Sequence, residues 1–144
     1  MCSVSAVYIQ KLQGVLNNAA RLVSGTLRKS DHITPYLHHL HWLPIRLRIE
    51  YKILTIIFKC IHNMAPAYLA ELIHPPTSTR SNRSSMKGIL LRVPRTKLAT
   101  GGDRMFSYIG PVLWNSLPTK VRECRTLVSF KRELKTFLFM KAYL

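Results

Sequence analysis

Residues 41–73 read HWLPIRLRIEYKILTIIFKCIHNMAPAYLAELI, from His41 to Ile73, and hold the longest apolar run of the chain. Pro44 suits a first helical position, where its missing N–H has no partner to lose. The next break is Asn63 to Pro66, so the spacing predicts one helix of about five turns over about 44–62. Arg48, Lys52, Thr55, Lys59 and His62 recur at steps of four and three as one narrow polar stripe, while Ile45, Leu47, Ile49, Tyr51, Ile53, Leu54, Ile56, Ile57, Phe58, Cys60 and Ile61 fill the rest. A helix so patterned is buried on most sides. The alternation Ile45, Leu47, Ile49 would also suit a strand, but the unbroken length decides for helix. The run Ile53 to Phe58, flanked by Lys52 and Lys59, is far too short to cross a bilayer, so this is the core helix of a soluble domain. Ala65-Pro66 then opens a second, short helix through Tyr68, Leu69, Leu72 and Ile73, placed to fold back on the first.

Upstream, Ile9, Leu12, Leu16, Ala19 and Val23 step by three and four, and Gly25 follows as a C-cap, which predicts an amphipathic helix from Ala6 to Val23. Gln13, Asn17, Asn18 and Arg21 fall on its other side. Thr34 before Pro35 reads as N-cap and N1 of a short helix, Pro35 to His41, with Trp42 and Leu43 buried at the corner that follows.

Downstream, His74 to Gly88 changes character: HPPTSTRSNRSSMKG is rich in Pro, Ser and Thr, with Arg80, Arg83 and Lys87 and no acid, as a basic loop is. Ile89 to Val93 has strand character, Pro94 confines it to an edge, and Pro94-Arg95 turns it back through Thr96 to Thr100 as a small β-hairpin over about 89–100. Asp103 is placed to cap a helix holding Phe106 and Ile109, interrupted at Gly110-Pro111, resumed through Trp114 and stopped at Leu117-Pro118. Thr126 caps a last helix with Leu127, Phe130, Leu134, Phe137 and Leu138 on one face. The expected fold is therefore mainly α: a compact helical domain around one long buried helix, with a small hairpin. Its parts are a helical core at 1–74, a basic loop at 75–88, and the hairpin with C-terminal helices at 89–144, packed with the first part as one domain. No internal repeat emerges.

The 47% hydrophobic content of 144 residues is enough for a real core and argues against wholesale disorder. Against it stand 22 Lys and Arg and only 6 Asp and Glu, a formal charge of +16, so the surface has too few acids to balance its cations. Its natural partners are polyanions, RNA or DNA above all, because each phosphate contact releases condensed counterions. Cys2, Cys60 and Cys124 are odd in number and far apart, a poor disulfide framework, which points to a reducing intracellular setting, nuclear or cytoplasmic. MCSVSAVYIQ has no basic leader before a long apolar run, and no Gly follows Met1, so neither a signal peptide nor a myristoyl anchor is expected, and no membrane partner.

Chemistry of its own is hard to find in the chain. The acids Asp31, Glu50, Glu71, Asp103, Glu123 and Glu133 lie apart, with no paired carboxylates of the kind a two-metal centre needs. His38, His39 and His41 precede the long helix and Cys60 and His62 sit near its far end, so about 25 Å of helix separates two candidate halves of a zinc site. The simpler expectation is interfacial histidines beside Trp42 and a buried Cys60. A nucleophilic Cys60 would need exposure and an activating base, and the apolar helix face argues against both. No G-x-S-x-G, P-loop, G-x-G-x-x-G or CxxC string occurs, so no cofactor is implied.

The cations fall into three groups: the loop Arg80, Arg83, Lys87; the hairpin Arg92, Arg95, Lys97, with Arg104 after it; and the end segment Lys120, Arg122, Arg125, Lys131, Arg132, Lys135. The first two, contiguous and opposed only by Asp103, are the expected nucleic-acid-binding residues, since a pliable basic segment adapts to phosphate spacing. Phe106 and Tyr108 have rings suited to stacking on bases, although on a helix with Ile109 the core is the more usual place for them.

Several strings, in order, carry a family resemblance: Ala19-Ala20-Arg21-Leu22-Val23, Asp31-His32-Ile33-Thr34-Pro35, Leu40-His41-Trp42-Leu43-Pro44, Met64-Ala65-Pro66-Ala67-Tyr68-Leu69, Val93-Pro94-Arg95-Thr96 and Leu113-Trp114-Asn115-Ser116-Leu117-Pro118, then Phe130-Lys131 and Leu134-Lys135. From about Tyr8 to Leu138 the chain resembles the carboxyl-terminal region of reverse transcriptases of animal non-LTR retrotransposons, the LINE or jockey-like class. The resemblance implies a parent protein with an endonuclease, then an RNA-directed DNA polymerase, then this tail. The Tyr-x-Asp-Asp string and the endonuclease acids of that family do not occur here, so no catalytic residue carries over. The Cys-His knuckle of some related tails is also missing, which puts zinc-dependent binding in doubt. The implied role is a non-catalytic tail holding template RNA or target DNA electrostatically. The alternative is a scaffold tail docked on the polymerase, with Trp42, Trp114 and Phe139 as its apolar contacts, or a remnant without function.

Overall fold

The structure is a computed structural model that describes residues 6–25, 32–74, 90–95 and 105–144. Among these it has seven helices and no strand: α1 Ala6–Ser24, α2 Thr34–His39, α3 Ile45–Ile61, α4 Ala67–Ala70, α5 Phe106–Asn115, α6 Thr119–Arg122 and α7 Leu127–Tyr143. None is long and apolar enough to cross a membrane. The mainly α expectation holds. The hairpin does not appear: Ile89 and residues 96–100 lie outside the described residues, and the described part, 90–95, pairs with a side chain instead of a strand.

The long central helix forms where the sequence places it, with one shift at each end. Pro44 is the N-cap of α3, in extended conformation at ψ 150°, and His62 is its C-cap. Pro44 cannot lend a side-chain oxygen to the first free N–H groups, and one of them is satisfied from elsewhere: Ile45 N–H donates to Gln13 Oε1 of α1 at 2.9 Å. Leu47, Leu54, Ile57, Phe58 and Cys60 are buried, and the polar stripe is interrupted at Thr55, whose hydroxyl donates to Tyr51 C=O at 2.7 Å inside the core.

On one flank of α3 the packing is continuous. Phe58 stacks on Phe130 of α7 with ring centroids 4.3 Å apart, and Trp114 of α5 lies against Phe130 at 5.7 Å. At the other end of the pair, Lys141 Nζ reaches Glu50 Oε2 at 2.9 Å, so α7 runs antiparallel to α3. Thr126 caps α7 as its sequence suggests, accepting from Ser129 N–H at 3.2 Å, and Phe130, Leu134 and Leu138 form the buried face. The expected break at Gly110-Pro111 is absent: α5 runs through both residues. Both are buried, and a Cβ on Gly110 would lie 2.6 Å from Ile57 Cδ1, so this pair serves close approach of α5 to α3.

Pro66 is the N-cap of α4, which is only four residues long, and the chain turns on to bury Ile73. The other flank of α3 is thinner. Leu16, Ala20 and Leu37 form a second small cluster, with Ile33, Leu40, Trp42, Ile45 and Tyr143 packed around it. Helix α2 begins one residue earlier than expected, with Ile33 at the N-cap, and ends at His39; His41, at φ 54°, turns the chain toward α3. Gly25 ends α1 at φ 67° as its C-cap role requires. The buried face of α1, however, is rotated by roughly 60° at 3.6 residues per turn from the expected one. Ile9, Gln13, Leu16 and Ala20 face the protein, while Leu12 and Val23 are exposed.

Candidate nucleic-acid interface

Of the seven cations expected to bind nucleic acid, the structure describes Arg92 and Arg95. Arg80, Arg83, Lys87, Lys97 and Arg104, like the loop 75–88, lie outside the described residues. Arg92 and Arg95 are both exposed, on an extended segment that follows the buried Leu91. The segment is pinned at its start by three hydrogen bonds. Asn115, at the end of α5, accepts from Leu91 N–H through Oδ1 at 2.9 Å and donates from Nδ2 to Leu91 C=O at 2.8 Å, as a neighbouring strand would. Arg92 N–H donates to His74 C=O at 3.1 Å.

Leu91 is directed inward and Arg92 beside it is turned to solvent. Arg92, Val93, Pro94, Arg95 and His74 line an open concavity of about 750 Å³. Two guanidiniums with an imidazole on a pinned backbone have the donors to meet phosphate oxygens, and Arg meets them with a planar fork.

A second feature lies beside the N-terminal end of α3, where residues 38–42 meet the end of α7. His41 stacks on Phe139 of α7 with centroids 5.3 Å apart and planes 15° from parallel; His38 meets Phe139 at 5.1 Å and Tyr143 at 5.3 Å. The Tyr143 hydroxyl donates to Trp42 C=O, and burial pushes its phenol above the ordinary value while nearby Arg48 pulls it down. The Arg48 guanidinium lies 5.7 Å from the Trp42 ring centroid. His38 and His41 are exposed, which makes a ledge of rings open on one side. Phe106, by contrast, packs on the main core.

The end-segment cations are present on α6, α7 and the turn between them. Lys120 pairs with Glu133 at 3.3 Å and Arg132 approaches the same carboxylate at 3.9 Å. Arg125, Arg132 and Lys135 are exposed, and the segment 120–135 holds the six cations Lys120, Arg122, Arg125, Lys131, Arg132 and Lys135 with two acids, Glu123 and Glu133.

Nothing among the described residues gathers three His, Cys, Asp or Glu into a group able to hold a metal. His62 lies over the Phe58 ring at 4.1 Å, and Cys60 is buried, its thiol pushed up by that burial. Cys124 is half-buried; desolvation and then the Glu133 charge raise its thiol as well.

The Asn115 clamp has no counterpart in the sequence reading; the histidines were expected at an interface beside Trp42, but not against Phe139. A polar side chain directly after the buried Trp114, where a helix ends, was the one available signal for the clamp. Nothing local links His41 to Phe139. No protein-family model, curated protein or solved structure matches the chain.

Proposed function

We propose that the chain is the carboxyl-terminal part of a non-LTR retrotransposon reverse transcriptase, without chemistry of its own, that binds the phosphate backbone of template RNA or target DNA. The observation that carries the binding proposal is the charge: +16 on a chain with six acids, two of which, Glu50 and Glu133, are already engaged by Lys141 and Lys120. The origin rests on the ordered strings, and those strings have structural work to do. Trp42-Leu43-Pro44 leads into α3, and Leu113 to Pro118 supplies the buried Trp114, the Asn115 clamp and the cap of α6.

In this reading Arg92 and Arg95 take phosphates from a backbone held by Asn115, and the loop cations Arg80, Arg83 and Lys87, with Lys97 and Arg104, add to the field. The His41–Phe139 ledge offers a face for an unstacked base. With about six phosphates neutralised, affinity for a random RNA or a DNA duplex falls on the order of 10³-fold between 50 and 200 mM salt. Replacing Arg92 and Arg95 together with Ala lowers the slope of that dependence by about 2, one for each lost phosphate contact. Fluorescence anisotropy across the salt series measures both, and a flat salt response rules the proposal out.

A further inference from the structure

The outward face of α1 carries an apolar seam that the other described residues do not cover. Tyr8, Leu12, Val15 and Leu22 are exposed at 63, 49, 67 and 83%, with the half-buried Ala19 between them and Val23 alongside at 63%. Positions 8, 12, 15, 19 and 22 alternate steps of four and three, the 3.5-residue period of a coiled-coil seam. This seam is distinct from the stripe Ile9, Gln13, Leu16, Ala20 that α1 turns toward α2 and α3. It runs about 21 Å along the helix, close to four turns. A continuous patch of that kind on an otherwise charged surface marks an interaction site.

The charge around the seam selects the occupant. Helix α1 contains Lys11 and Arg21 and no acid, and Lys11 Nζ lies 6.0 Å from the Tyr8 ring centroid, beside the seam. Two copies of the chain would set Lys11, and a charge of +16 each, against one another. We infer that the α1 seam docks an acidic amphipathic helix of a partner protein, with Leu-type residues at heptad spacing over about four turns and Asp or Glu beside them. Apolar side chains supply the contact area, and the flanking carboxylates meet Lys11 and the basic field of the domain. This inference stands apart from nucleic-acid binding, which uses other residues.

The test uses the full chain and labelled synthetic helices of about three heptads. One has Leu at the seam positions and Glu beside them; a second has the same composition with the Leu positions scrambled; a third carries Lys in place of Glu. Anisotropy at about 150 mM salt, where long-range attraction is screened, should show binding of the first peptide alone. L12Q with L22Q should weaken it at least about tenfold while leaving circular dichroism and Tm unchanged, and V15Q with V23Q should do the same. Equal binding of the scrambled acidic peptide would reduce the effect to bulk charge and overturn the inference, as would unchanged affinity of both double variants. Sedimentation equilibrium showing a dimer of the chain alone that L12Q with L22Q dissolves would assign the seam to a second copy instead.

Discussion

The two flanks of α3 use similar side chains to different degrees of completion. Toward α5 and α7, Trp114, Phe58, Phe130, Leu134 and Leu138 are almost fully removed from water and stack ring on ring. Toward α1 and α2, three buried residues make the contact while Tyr8, Leu12, Val15 and Leu22 of α1 look outward. Apolar residues alone therefore do not tell which surfaces a fold closes. One flank holds the protein together; the other has surface left for a partner.

The sharpest way to break this comparison is to damage each flank in turn. Phe130→Ala removes a ring fully buried between Phe58 and Trp114 and should cost about 3–5 kcal/mol in urea unfolding, whereas Leu16→Ala in the small cluster should cost about 2 kcal/mol. Equal losses would mean that α1 is as integral as α7. Next in size is the Glu50–Lys141 link. Lys141→Met leaves a carboxylate of 12% exposure without its cation, worth about 1.5–3 kcal/mol, and adding Glu50→Gln should recover part of the loss. No recovery would show that Lys141 acts through packing of its stem. Asn115→Ala should cost about 1–2 kcal/mol through two lost backbone hydrogen bonds. It should also speed hydrogen exchange at the Leu91 amide and reduce nucleic-acid affinity with Arg92 and Arg95 intact. Smallest of all, Leu22→Gln on the outer face of α1 should shift stability by less than about 0.5 kcal/mol, read as an unchanged Tm. A large loss there would show that the seam is covered within the chain itself.

The sequence was informative wherever one period dominated. The long helix and the Thr126-capped α7 face were legible because their apolar positions allow a single orientation. Helix α1 was not, because two apolar stripes lie side by side and the face read from periodicity falls between them; the contacts of Leu16, Ala20 and Gln13 decide it. Gly110-Pro111 looked like a stop by local propensity, yet tertiary packing against Ile57 overrides propensity at that point. The scaffold alternative used Trp114 as an open apolar contact, but Trp114 is 1% exposed; open apolar surface lies on α1. Of the candidate binding residues, Arg92 is exposed as the neighbour of the buried Leu91, but what pins the segment, Asn115, lies 24 residues away in sequence.

The antiparallel return of α7 along α3 has a consequence for how the protein is made. The partner that buries Phe58 is Phe130, and the cation that neutralises Glu50 is Lys141, both encoded long after α3 has left the ribosome. At synthesis rates of about 5–20 residues per second, α3 waits roughly 3 to 13 s before α7 begins to follow it. During that interval a helix rich in Ile and Leu lacks the α7 residues that cover it in the folded protein. A chaperone that holds short apolar helices is therefore expected to act on the nascent chain in that interval. Pulse labelling with and without such a chaperone should show the difference in newly made chains, while the finished protein is indifferent to it.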